Sequence, residues 1–195
     1  SHPQLLPRYY SAVLNAMDTW FNHATVDPII DQIMAGWVPT TDGNAATPNR
    51  GVAEIKGFID ARRANILTQI PQTYSLNVTG TAADTAEGYK VTTTGVATFA
   101  GNFNVAKTYS ITVNGSLAQT FYRTAGADAV GTWKLITTTG GSGVISPGLN
   151  KVVVRFWDAI NGTGNVLQEL TANVYYSGGT GTTISGTLTA PGSVT

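Results

Sequence analysis

The chain has no cysteine, and only two methionines and two histidines stand among its 195 residues. Without cysteine there are no disulfide staples, no Cys nucleophile and no thiolate metal site. The fold must therefore stand on its apolar core alone. Charge is scarce too: 11% of residues are charged, against about 25% in an ordinary globular domain. Lysine plus arginine number 11, aspartate plus glutamate 11, and the formal net charge is +0. Nothing here provides the basic field that nucleic acid or an anionic membrane requires, so neither is expected as a partner. No apolar run approaches the ~18 residues of a membrane span. No signal peptide is visible, and the chain opens on Ser1 instead of Met. It is expected to be a fragment of a longer protein.

What fills the space left by charge is Thr, Ser, Asn and 22 glycines. Such a weakly charged surface suits an extracellular β-domain. The most strongly β-forming run is Leu149 to Asp158. Val152, Val154 and Phe156 share one face of it, and Val153, Arg155 and Trp157 the other. Pro147-Gly148 precedes it and Asn161-Gly162 turns the chain after it. A strand apolar on both faces requires a covered, central place in a sheet.

The first third reads as helical. From Arg8 to Phe21, Tyr9, Tyr10, Val13, Leu14, Met17, Trp20 and Phe21 recur at spacings of three and four, so Trp20 is expected to pack. Asp27-Pro28 signals the start of a second helix, with Asp27 as cap and Pro28 in the first turn. His23 is then expected to end the first helix, where a cation suits the dipole. A polar loop follows from Thr40. The longest helix is expected from about residue 49 or 50 to Ile70, with Val52, Ile55, Ile59, Ile66 and Ile70 along one stripe, Phe58 beside them, and Pro71 as the stop.

Near Tyr74 the composition shifts to Thr, Val, Gly and Tyr. Strands are expected at 74–78, 89–93, 96–99, 109–113, 117–122, 133–137 and 167–176, besides Leu149–Asp158. Asn114-Gly115 is a strong hairpin signal, because both turn positions need positive φ. Short strands divided by Gly and Asn turns predict an antiparallel sandwich of about immunoglobulin size. The expected fold class is α+β: an N-terminal bundle of about three helices (1–72), then an antiparallel immunoglobulin-like β-sandwich (73–178). Residues 179–195 read as a Gly/Thr-rich edge strand or linker.

The inventory of chemistry is empty. His2 and His23 have no partners at metal-ligand spacing. No G-x-S-x-G elbow exists for a Ser-His-Asp triad. Asp158 to Glu169 has the length of an EF-hand loop, but Ile160 and Gly162 stand where oxygen ligands belong. Arg62-Arg63 reads as an anion site or, more simply, as shielding of a helix flank. Sugars stack on exposed aromatic faces, which singles out Trp157, Tyr122 and Tyr175 as ligand-facing aromatics. Trp133 is expected in the core, since sandwiches bury a tryptophan.

Three stretches, Tyr9-Tyr10 through Trp20-Phe21, Val26-Asp27-Pro28-Ile29-Ile30-Asp31 and Ile55 through Arg63, resemble the C-terminal helical end of kinases of the CotH (spore coat protein H) family. Val113-Asn114-Gly115, Trp133, Ser146 through Asn150, Val152-Val153-Val154 and Asp158 resemble immunoglobulin-like modules of large secreted bacterial proteins. The family's nucleotide lysine and metal-binding acids have no counterpart here, so no catalytic residue carries over. The resemblance implies a non-catalytic, accessory piece of a secreted or surface-attached bacterial protein: a spacer, docking or adhesion module. Its partners would be neighbouring domains of the same polypeptide, or a polysaccharide or protein at the cell surface. A carbohydrate-binding sandwich and the end of a CotH-type kinase, with catalytic residues upstream, are the alternatives. No cofactor or metal is expected.

Overall fold

The computed structural model describes residues 4–35, 46–80 and 88–178. Three α-helices come first. Helix α1 (Leu6–Thr19) starts with Pro7 in its first turn, where a missing N–H costs nothing. Helix α2 (His23–Met34) starts four residues before the expected Asp27. Asn22 is its cap, accepting the Thr25 N–H on Oδ1 at 3.0 Å. Pro28 therefore lies inside the helix, where it removes the N–H that would bond the Ala24 carbonyl and crowds that carbonyl with its ring. Helix α3 (Ala46–Gln69) ends just before Pro71, as expected.

Nine strands follow: β1 (Asn77–Thr79), β2 (Lys90–Thr92), β3 (Thr98–Asn102), β4 (Ser110–Val113), β5 (Ser116–Leu117), β6 (Gln119–Phe121), β7 (Thr132–Ile136), β8 (Gly148–Trp157) and β9 (Val166–Tyr176). They form a four-stranded sheet ordered β1-β3-β7-β6 and a five-stranded sheet ordered β2-β9-β8-β4-β5. Every pairing is antiparallel except β2 with β9, which is parallel. The architecture is thus mixed α+β. Helical structure is not confined to the first 72 residues, however. Two 3-10 turns, Gly141–Gly143 and Ile160–Gly162, lie between strands.

Strand β8 takes the central place that its two apolar faces require, between β9 and β4. Val152, Val154 and Phe156 are fully buried, whereas Arg155 on the other face is exposed. Asn114 and Gly115 take positive φ, 46° and 87°, and turn β4 into β5. The return strand expected over 117–122 is split. Ser116–Leu117 stays beside β4, the Ala118 N–H donates to the Ile111 carbonyl, and Gln119–Phe121 then joins β7 in the other sheet. A period-two pattern cannot report such a crossing, because the alternation continues through it.

Both sheets feed one core. Val78, Phe99 and Trp133 come from the four-stranded sheet, and Ile111, Val113, Val154, Phe156 and Val174 from the other. Leu6, Tyr10, Val13 and Leu14 of α1 and Ile66 of α3 pack against it. The Tyr10 hydroxyl donates to the Tyr122 carbonyl at 2.6 Å. At Gly101 the backbone of Ser75 approaches so closely that an added Cβ would fall 2.0 Å from the Ser75 oxygen. That approach seats the segment joining α3 to β1, and the Trp133 indole N–H donates to the same oxygen at 3.2 Å.

Candidate functional site

Among the described residues, the helices carry most of the ion pairs. His23 does not end α1; it is the first residue of α2, where the dipole opposes a cation. Two carboxylates hold it instead. Nδ1 lies 3.0 Å from Asp27 Oδ1, and Nε2 lies 2.9 Å from Asp60 Oδ1 on α3. The hydrogen bond to Asp27, then that to Asp60, raises the imidazole pKa above its ordinary value. Lys56 Nζ sits 2.7 Å from Asp31 Oδ1 and 3.8 Å from Asp27 Oδ2. These contacts pair the start of α2 with the middle of α3, so the two helices run antiparallel. Exposed as they are, such pairs fix orientation more than they stabilise.

Arg63 is engaged within the helices. Its guanidinium donates to the Met17 carbonyl and, at 2.7 Å, to the Phe21 carbonyl, and it meets Asp18 Oδ1 at 3.1 Å. Helix α1 has no basic residue in its own last turn. Arg63 supplies that charge from another helix. No local signal announces this, because the partners lie 42 to 46 residues away.

Away from these ion pairs, each of the two helices carries an open apolar pair. Ile29 and Ile33 are one turn apart on α2, as are Ile55 and Phe58 on α3. Helical spacing places each pair on the side of its helix away from Asp31 and Asp60. Because Asp31 and Asp60 face the neighbouring helix, the two apolar pairs point outward on separate sides of the helix pair. Phe58 is 62% exposed and Ile33 64%. On α1, Trp20 is 69% exposed, which corrects the expectation that it packs. Periodicity marks an apolar stripe; it does not say what covers the stripe. Trp37 lies outside the described residues.

The three aromatics singled out for ligand contact do not converge. Tyr122 is fully buried, its hydroxyl donating to the Thr108 carbonyl at 2.8 Å and its ring edge-on to Phe103 at 5.1 Å. Burial pushes its pKa up. It is a core residue, and its face is closed to ligand. Trp157 is half-buried, with Nε1 donating to Thr112 Oγ1 at 2.9 Å. Tyr175 is 41% exposed, beside Leu149 of β8 and Val91 of β2. Trp157 and Leu149 mark opposite ends of β8, roughly 26 Å apart along the strand. Trp133 is 1% exposed, in the core as the sequence implies.

The loop after β8 is a tight turn. Asp158 accepts the Asn165 N–H on Oδ1 at 2.7 Å and the Asn165 side-chain amide on Oδ2 at 2.9 Å. Those bonds lower its pKa. A cleft of about 450 Å³ between this turn and the start of α1 is lined by Leu5, Arg8, Tyr109, Asp158 and Ile160. Among the described residues no three His, Cys, Asp or Glu side chains gather to hold a metal ion. No helix among them is long and apolar enough to cross a membrane. Compared with protein-family models, curated proteins and solved structures, the chain matches none of them.

Proposed function

We propose that the chain is a non-catalytic accessory module of a secreted or surface-attached bacterial protein, with helices that dock a neighbouring domain and a β part that spaces or adheres. One contrast carries the reading. The β core encloses Phe99, Trp133 and Phe156, whereas α2 leaves Ile29 and Ile33 open and α3 leaves Ile55 and Phe58 open, with nothing among the described residues covering them. Exposed apolar side chains on neighbouring helices of a weakly charged chain favour a protein partner. In the form that the CotH resemblance gives it, that partner is the kinase-like body of the same polypeptide.

The β part is best described as an immunoglobulin-like sandwich. Its strand order supports this: β1-β3-β7-β6 follows the first sheet of that arrangement, and β9-β8-β4 the second. The buried tryptophan sits on β7, the strand that would be E instead of C, and no disulfide accompanies it. The carbohydrate reading retains Tyr175 alone as an open aromatic on the β8–β9 face.

Hydroxyl-radical footprinting tests the docking. Trp20 and Phe58 should label strongly in the isolated chain and weakly in the polypeptide as its source produces it. Equal labelling in both would remove the docking role.

A further inference from the structure

Sheet edges invite pairing with another chain, and folded proteins blunt them by shortness, charge, proline or bulges. Four of the edges here are short: β1, β2 and β6 have three residues each, and β5 has two. Strand β9 is different. It has 11 residues, and β2 covers only Val174, Tyr175 and Tyr176. Residues 167–172 form an edge with no strand beside it among the described residues.

The direction of its main-chain groups follows from one bond. The Ser177 N–H donates across the β2 side to the Thr92 carbonyl at 2.9 Å. Main-chain groups alternate sides along a strand. Glu169, Thr171 and Asn173 therefore point both N–H and C=O outward, while Leu170 and Ala172 point theirs at β8. The Asn173 carbonyl belongs to the start of the β2 ladder, and the Glu169 carbonyl accepts a weak bond from the Gln168 side-chain amide at 3.3 Å. The stretch Leu-Gln-Glu-Leu-Thr-Ala-Asn holds no proline, lysine or glycine. Its one charge, Glu169, already meets Arg155 Nε at 2.8 Å. Leu170 and Ala172 face the core but are only half-buried, with no strand beyond them among the described residues.

We infer that this edge joins two copies of the chain, the β9 strands pairing antiparallel about a twofold axis at Leu170. The register is self-complementary. Leu170 meets its own copy, Gln168 faces Ala172 and Glu169 faces Thr171. No two like charges stand directly opposite. Glu169 and Thr171 with their symmetry mates make about four main-chain hydrogen bonds. Pairing stops at Ala172, because Asn173 already belongs to the β2 ladder, so no existing bond is broken. The chain's net charge of +0 sets up no repulsion between copies.

Hydrogen exchange on the full chain, read with light scattering at rising concentration, decides it. The amides of Glu169 and Thr171 should exchange roughly tenfold or more slowly at high concentration than at low. The mass should rise toward twice the 20.4 kDa chain. Thr171→Pro removes an outward N–H and no bond to β8, so it should abolish both changes, and Thr171→Val should keep them. Fast exchange at all concentrations would overturn the inference. So would protection independent of concentration, which would assign the edge to another stretch of the same chain, or a dimer that survives Thr171→Pro.

Discussion

Replacing Phe156 with alanine is expected to remove a large part of the protein's stability. The ring is fully buried on the central strand. It stands edge-on to Tyr74 at 4.8 Å and to Trp133 at 6.0 Å, so three rings share one contact. Phe→Ala substitutions in cores cost about 3–5 kcal/mol. The upper part of that range applies, for two reasons. Each ring contact adds ~0.5–1.5 kcal/mol beyond buried area. Strand β8 is also clamped on both sides, by β9 and β4, so the cavity cannot collapse. A loss of about 4 kcal/mol is set against the ~5–15 kcal/mol of a typical domain. Phe156→Leu keeps most of the volume and should cost about 1–2 kcal/mol. Phe58→Ala, at an exposed ring, should cost less than about 0.5 kcal/mol. Urea titration followed by near-ultraviolet circular dichroism measures all three. A Phe156→Ala loss under about 1 kcal/mol, or a Phe58→Ala loss equal to it, would refute the division between closed β core and open helical face.

Two buried threonines should respond in opposite ways to the same change. Thr137 Oγ1 donates to the Gly95 carbonyl at 2.6 Å and accepts the Ala97 N–H at 2.8 Å, so Thr137→Val strands two polar groups and should cost about 2–4 kcal/mol on urea titration. Thr108 Oγ1 is buried with no partner, so Thr108→Val should be neutral or stabilising in the same assay. His23 titrates above its ordinary 6.5, so its contribution is fully present below pH 6.5 and is lost as pH rises through the raised value. Proton NMR should place its midpoint above that of an unfolded peptide, and Asp60→Asn should lower it; an unmoved midpoint would show that the Asp60 contact does not form. Arg63→Ala should fray the end of α1, seen as faster amide exchange near Phe21 with the β8 amides unchanged.

The helices and most strands were legible because they advertise local periods. The 3.6-residue recurrence in 8–21 and the alternation in 149–157 each survive as an element within two residues of the expected ends. Asp27-Pro28 and Asn22 are both good caps, so local sequence does not fix the start of α2; the Asn22 cap and the His23 contact with Asp60 on α3 mark it four residues earlier. The fate of Trp20 and Tyr122 was illegible for a related reason. Both are aromatic residues on apolar patterns, yet one ends 69% exposed and the other fully buried. Exposure depends on what the rest of the fold brings over a residue, and residues 112 positions apart decide it where Tyr10 closes over Tyr122. The same holds for Arg63, whose partners belong to another helix.

The parallel neighbours β2 and β9 have a mechanical consequence. They sit near the two ends of the β part, so tension drawn through the segments before β2 and after β9 slides the strands past each other along their length. Bonds such as Ser177 N–H to Thr92 then share the pull and yield together, not in sequence as a zipper would. A stretched chain should extend in one abrupt step at this seam, and a smooth lengthening under slowly rising force would contradict that geometry.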